Sequence, residues 1–134
     1  MKISRKADYG LLALTYLARQ EEGHICYRNE IACRLRISRT VLAKILQSLR
    51  RSGILQSHLG AHGGYSLARS PAKITLAEVL KALGADVQMP RSRKGGATDS
   101  ERGLAARVAS SLQRVGEDVQ RLFSRVSLED LAGD

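Results

Sequence analysis

Apolar residues recur at helical spacing along most of the chain. The first stretch, residues 6–21, is apolar on most sides, a pattern typical of a helix packed at the centre of a domain. Ser38 and Thr75 are typical N-cap residues and are predicted to begin the third and fourth helices. The predicted helices cover residues 6–21, 29–36, 38–52, 75–83 and 100–124, and a capped turn covers residues 127–131.

Two short runs of strand-like composition lie between the third and fourth predicted helices. They cover residues 54–58 and 65–69, and residues 59–64 between them contain three glycines. This spacing predicts a β-hairpin with a flexible tip. Gly53 is predicted to end the preceding helix as its C′ residue, and an extended stretch at residues 24–27 is predicted before the second helix.

The fifth predicted helix has an apolar stripe whose members are three or four residues apart. At about 25 residues, or about 37 Å, this helix is long for a domain of this size. Its stripe either packs back on its own domain or pairs with a second copy of the chain, and the length favours a homodimer. The residues of the stripe are Leu104, Val108, Leu112, Val115, Val119 and Leu122.

A polar segment with Pro90 and a Gly95-Gly96 pair separates the fourth and fifth predicted helices. The predicted fold class is therefore mainly α with a small β-hairpin wing: a winged helix-turn-helix domain with a long C-terminal dimerisation helix. The predicted organisation is the winged helix-turn-helix domain at 1–84, a flexible linker at 85–99, and the dimerisation helix with the C-terminal turn at 100–134.

Charge is distributed unevenly along the 134 residues. The net charge is +9, and residues 1–84 hold all of this excess because residues 85–134 contain equal numbers of basic and acidic residues. An excess of this kind predicts a polyanionic partner. The longest apolar run, residues 9–18, is too short to cross a bilayer, so we predict nucleic acid rather than a membrane. Two cysteines form no disulfide framework, which favours a reduced, cytoplasmic chain.

The third predicted helix has an apolar face and, opposite it, a polar face without acidic residues. A helix of this kind after a tight turn is predicted to enter the major groove of double-stranded DNA. Arg39, Thr40 and Lys44 are predicted to lie at or near base edges, and Arg50 and Arg51 at phosphates. The alternatives are an ordinary solvated face and, for the two histidines of the hairpin, simple exposure. The predicted DNA-binding residues are Arg28, Ser38, Arg39, Thr40, Lys44, Gln47, Arg50, Arg51, His58, His62 and Gly63.

Short motifs follow one another in a distinctive order along almost the whole chain. They are Asp8-Tyr9-Gly10-Leu11, Glu30-Ile31-Ala32, Ile37-Ser38, Leu46-Gln47-Ser48-Leu49-Arg50, Gly63-Gly64-Tyr65-Ser66-Leu67-Ala68, Ile74-Thr75-Leu76-Ala77-Glu78-Val79 and Ser127-Leu128-Glu129-Asp130-Leu131. Their order resembles the IscR/NsrR family of winged-helix transcriptional regulators. Within it, the nitric-oxide-sensing branch is resembled most closely by Ser38-Arg39 followed by Lys44-Ile45, together with Asp8-Tyr9-Gly10. The resemblance implies a homodimeric bacterial regulator that binds a palindromic operator.

Two regions differ from the pattern of that family. In its cluster-binding members the linker supplies three cysteines to an iron–sulfur cluster, whereas residues 84–103 contain none, so no cofactor and no metal site is predicted. Asp8 matches the position of a carboxylate ligand in the nitric-oxide sensors, and its alternative role is to meet the dipole of the first helix. Leu59 occupies the place where many relatives have a minor-groove arginine.

The two cysteines are the remaining candidates for chemistry. Cys33 is predicted on the side of its helix away from the core, beside Arg34 and Arg36, and basic neighbours favour a reactive thiolate. Cys33 and Cys26 are therefore redox candidates, the alternative being that each is a small apolar filler.

The favoured function is a DNA-binding transcriptional repressor that responds to oxidation of these thiols. An iron–sulfur or nitric-oxide sensor with non-cysteine ligands is one alternative, and a regulator acting mainly through a protein partner is another. A site combining the three histidines His24, His58 and His62 with the cysteines has no recognised ligand spacing. The sequence has no phosphate-cradling loop or nucleophile elbow, so no enzymatic activity is predicted.

Overall fold

The arrangement of helices and strands was obtained from a computed structural model, which describes residues 3–60, 63–85 and 98–133. Within these ranges the chain forms helices and a small antiparallel sheet, with a single 3₁₀ turn at Pro71–Lys73. The helices are α1 Arg5–Ala18, α2 Arg28–Leu35, α3 Arg39–Arg51, α4 Leu76–Ala82, α5 Asp99–Arg125 and α6 Leu128–Ala132, and the strands are β1 Cys26–Tyr27, β2 Leu55–His58 and β3 Gly64–Leu67. The predicted fold class is confirmed.

Helix α1 lies at the centre of the domain. Its N-terminus is capped by Ser4, whose side chain accepts a hydrogen bond from the backbone N–H of Ala7 at 3.2 Å. Leu14 and Leu17 are buried in the core. The helix ends at Ala18, three residues before the predicted end, because the polar residues that follow have no buried apolar face to hold them in the helix.

Helices α2 and α3 form the helix-turn-helix. Arg36 between them adopts a left-handed conformation (φ 53°), and the backbone N–H of Ile37 donates to the carbonyl of Ala32, which closes the turn. Ser38 lies at the N-cap position of α3, as predicted, and its side chain makes no capping hydrogen bond. Gly53 follows α3 with φ 76°, as expected of a C′ glycine.

The sheet has the strand order β1-β3-β2, with both pairs antiparallel. The predicted hairpin is confirmed as β2 and β3, and the extended stretch before α2 adds β1 to the other edge of β3. Gly64 permits this third strand, because a Cβ there would lie 2.5 Å from the side chain of Ile25. Residues 61 and 62 at the predicted tip lie outside the described residues.

The chain after α5 returns to the domain. The backbone N–H of Leu76 donates to the carbonyl of Val126 at 2.8 Å, and the N–H of Leu128 donates to Ile74 at 2.9 Å. The side chain of Leu128 is fully buried in the core. The predicted capped turn is confirmed as α6, which Ser127 begins with a capping box.

Most of the predicted linker, residues 86–97, lies outside the described residues. None of the helices that the structure describes is both long and apolar enough to cross a membrane.

Candidate nucleic-acid interface

The apolar face of α3 determines which of its side chains reach solvent. Its four apolar residues are no more than 1% exposed, and they pack against the other helices of the core. The predicted orientation of this helix is therefore confirmed. All of the predicted contact residues at the beginning of α3 and along its outer face are exposed: Ser38, Arg39, Thr40, Lys44, Gln47, Arg50 and Arg51.

The exposed face of α3 is strongly basic. Between Cys26 and Arg51 the sequence has seven basic residues and a single acidic one, Glu30. The salt bridges found among the described residues lie elsewhere, for example between Arg69 and Glu78 at 2.9 Å. None of these salt bridges involves a basic residue of α3. The positive charges of α3 are therefore available to phosphate groups.

The wing is attached to the beginning of α2 by its backbone. The N–H of Arg28 donates to the carbonyl of Gly63 at 3.2 Å, so these two predicted contact residues are adjacent in space. Gly63 has φ 56°, a conformation that glycine adopts without strain. Arg28 and Gly63 are both half-buried.

Of the two histidines in the wing, the structure describes His58. The Nε2 atom of His58 lies 2.7 Å from the hydroxyl of Ser66 on β3, and the ring is half-buried. His58 is therefore engaged within the sheet rather than extended towards solvent. His62 lies outside the described residues.

The two cysteines occupy contrasting environments. Cys26 in β1 is fully buried, and its pKa is raised to about 11, first by burial and then by the charge of Glu30. A thiol held neutral in this way is a poor nucleophile, which favours its role as an apolar filler. Cys33 on α2 is exposed, as predicted from its position opposite the apolar face.

The apolar stripe of α5 is largely open to solvent in the single chain. Leu104, Val108, Val115 and Leu122 are 50–61% exposed, and the other two members are half-buried. Exposed apolar side chains that follow one face of a long helix mark a surface for another helix.

A groove of about 460 Å³ separates the end of α1 from β2 and β3. His24 and His58 both line it, together with Glu21 and Glu22. No group of three or more histidine, cysteine or acidic side chains in the described part of the chain has the arrangement of a metal site.

One half-buried hydrogen bond was not found from the sequence. The hydroxyl of Tyr16 on α1 donates to the carboxylate of Glu30 on α2 at 2.6 Å. This hydrogen bond raises the pKa of Tyr16 to about 12, with burial as the second cause. Sequence periodicity assigned Tyr16 to the apolar surface of α1, and nothing in a single sequence pairs it with a carboxylate 14 residues away.

The helix-turn-helix, its exposed basic helix and the attached hairpin define a winged helix-turn-helix protein. The model of one family, described as Rrf2, iron-dependent transcriptional regulator, matches residues 3–134. The chain belongs to the Rrf2 family, whose members are transcriptional regulators rather than enzymes. The resemblance found in the sequence is thereby confirmed at the level of the family.

Individual relatives agree with this assignment. The structure is similar to that of CymR, the global cysteine regulator of B. subtilis, with 29% identity, a TM-score of 0.68, and coverage of 98% of this chain and 96% of that one. It is also similar to IscR of T. potens, with 26% identity, a TM-score of 0.70, and coverage of 98% and 85%. A Synechocystis protein described as an HTH-type transcriptional regulator is 40% identical over 83 residues, which are 62% of this chain and 56% of that protein. This chain therefore matches little more than half the length of that relative.

Proposed function

We propose that this protein is a cytoplasmic, homodimeric repressor that binds a palindromic operator with α3 in the major groove. The observation that carries the proposal is the outer face of α3, where every predicted contact side chain is exposed and none is acidic. Arg39, Thr40 and Lys44 read base edges, and Arg50 and Arg51 hold the phosphate backbone.

DNA binding is tested by selecting bound duplexes from a random pool. The affinity for the selected duplexes is then measured by fluorescence anisotropy at several salt concentrations. Wild-type affinity should fall steeply as salt rises. Lys44→Ala should lose about tenfold to a hundredfold of the preference for the selected duplex over a scrambled one. Lys73→Ala, which removes the same charge from an exposed position in the 3₁₀ turn, is the matched control.

Two results would contradict this proposal. One is weak, salt-insensitive binding of every duplex, which would favour regulation through a protein partner docked on the neutral C-terminal third. The other is an equal loss of preference in Lys44→Ala and Lys73→Ala, because the effect would then arise from net charge alone.

The homodimer is supported by the exposed stripe on α5. Val108→Glu places a charge in the stripe and should convert the dimer to a monomer. Ala106→Glu introduces the same charge at an exposed position off the stripe and should leave the dimer intact. Sedimentation equilibrium measures both, and a wild-type monomer at micromolar concentration would contradict the proposal.

We further propose that the regulator works without a cysteine-ligated cluster. The family model is described as iron-dependent, yet this chain has two cysteines, fewer than the four thiolates that hold a typical iron–sulfur cluster within one chain. Those two do not fit the group, because Cys26 is fully buried in β1 whereas Cys33 is exposed on α2. Iron and acid-labile sulfide are measured on anaerobically purified protein, and a stoichiometric cluster would refute this part.

Oxidation of Cys33 is the proposed signal. Its support is the exposure of the thiol on α2, the helix that precedes the DNA-contacting helix, with Arg34 and Arg36 as neighbours in the sequence. Mild peroxide should oxidise Cys33 to the sulfenic acid, with release of water, and should weaken operator binding by the wild type but not by Cys33→Ser. Mass spectrometry identifies the adduct; no adduct and unchanged binding would eliminate the switch.

A further inference from the structure

The wing contains no fixed charge. Residues 56–67 include no lysine, arginine, aspartate or glutamate. Of the two histidines in this range, His58 is engaged with Ser66. A wing of this composition has no lysine or arginine to place in the negative potential of a narrow minor groove.

Leu59 is the most exposed large apolar side chain among the described residues. Its relative exposure is 107%, whereas the others of this kind are 41–61% exposed. It directly follows β2 and precedes Gly60, whose carbonyl accepts a hydrogen bond from the N–H of Gly63 at 3.3 Å. A leucine that is fully hydrated in the free protein gains free energy from any partner that removes it from water.

Leu59 is also held in place relative to α3. Strand β2 pairs with β3 over its whole length, from Leu55 opposite Leu67 to His58 opposite Gly64. Backbone N–H groups of the residues between α3 and β2 donate to carbonyls of the last turns of α3, as in the 3.0 Å bond from Ile54 to Leu49. The position of Leu59 is therefore coupled to that of the helix proposed to lie in the major groove.

We propose that Leu59 enters the minor groove beside each α3 contact and packs against the apolar deoxyribose walls. This inference rests on the proposed DNA binding. A protein partner fits the observation less well, because one leucine flanked by a histidine and a glycine is far smaller than a stable protein interface. Apolar side chains are, in contrast, a known means of binding the minor groove.

The proposal makes a specific demand on base sequence. The 2-amino group of guanine projects from the floor of the minor groove and would obstruct an apolar side chain, whereas A·T pairs lack it. Inosine lacks the same amino group and leaves the major groove unchanged. At the base pairs under the wing, wild-type protein should therefore prefer A·T and I·C to G·C.

The test measures binding to the selected operator by anisotropy at three salt concentrations, with inosine substituted under the wing. Leu59→Ala should bind about fivefold to tenfold more weakly, with an unchanged salt slope and no preference for I·C. Leu59→Arg should steepen the salt slope, the slope of log affinity against log salt concentration, by about one. Leu131→Ala, at a 42% exposed position on α6, is the matched control and should bind like the wild type.

Leu59→Ala should keep the wild-type melting temperature, since a fully hydrated side chain contributes little to folding. Binding by Leu59→Ala that equals wild-type binding, or a retained preference for I·C, would overturn the role of Leu59 and leave the proposed function intact. A changed salt slope in Leu59→Ala would also overturn it, because an apolar contact releases no counterions. Failure of the wild type to bind any duplex would instead refute the proposed function.

Discussion

Leu128→Ala tests how the chain beyond α5 contributes to the stability of the domain. Leu128 is the first residue of α6 and is fully buried among residues of the core. Its backbone is tied to the domain by the 2.9 Å hydrogen bond to Ile74, which the substitution leaves in place. The substitution therefore removes apolar contact and little else.

The expected loss follows from complete burial of the side chain. Leucine-to-alanine substitutions at fully buried positions cost about 2.7–5 kcal/mol, from the lost transfer free energy and the cavity that remains. Because domains are stable by only about 5–15 kcal/mol, this is a large fraction of the total. For a chain of this length a loss of about 3 kcal/mol lowers the melting temperature by about 10 °C.

Thermal and urea denaturation followed by circular dichroism measure the effect at equal protein concentrations, since the proposed dimer would be stabilised by mass action. Leu131→Ala is the matched control, because it makes the same change in the same helix at a 42% exposed position. It should cost less than about 1 kcal/mol. Equal losses in the two variants would show that α6 does not dock through Leu128 and would refute the reasoning.

Three further substitutions or reactions test other features. Tyr16→Phe leaves the carboxylate of Glu30 without its donor and should cost about 1–2 kcal/mol in urea denaturation. Because the pKa of Tyr16 is raised to about 12, this contribution should be complete below pH 10 and lost as pH rises through 12; a difference independent of pH would contradict it. Iodoacetamide should alkylate Cys33 in the native protein and Cys26 only in urea, as mass spectrometry would show; equal native rates would be inconsistent with the burial of Cys26. Gly53→Ala should cost about 1 kcal/mol, because alanine at φ 76° is strained, and unchanged stability would count against this conformation.

Local periodicity predicted the parts of the fold that depend on one segment at a time. The apolar positions of α3 repeat with the helical period, so its core face and its exposed face both follow from the sequence. The glycine-rich hairpin and the N-cap at Thr75 were predictable for the same reason, since each depends on residues close together in the chain. Ser38 likewise begins α3 as predicted, although its side chain makes no capping hydrogen bond.

Contacts between distant segments could not be predicted in this way. The pairing of Cys26 with Tyr65 joins residues 39 positions apart, and no local pattern specifies that register. In α6 the sequence does not indicate whether Leu128 or Leu131 faces the core. Leu128 does so because backbone hydrogen bonds hold residues 126 and 128 beside Leu76 and Ile74. The environment of Cys26 likewise depends on distant residues, because burial, the main cause of its raised pKa, results from packing such as the pairing with Tyr65.

The attachment of α5 affects how the proposed dimer would present its two α3 helices. The C-terminal end of α5 is joined directly to α4 through the bond from Leu76 to Val126, and the next residues bury Leu128 in the same core that orients α3. Dimerisation through the exposed stripe on α5 would therefore set the separation and orientation of the two α3 helices through packed structure rather than through a loose tether. Because palindromic half-sites must match that separation, the core around Leu128 would contribute to operator spacing although it touches no DNA. In such a dimer, an effector that shifted α5 against this core would also move the α3 helices.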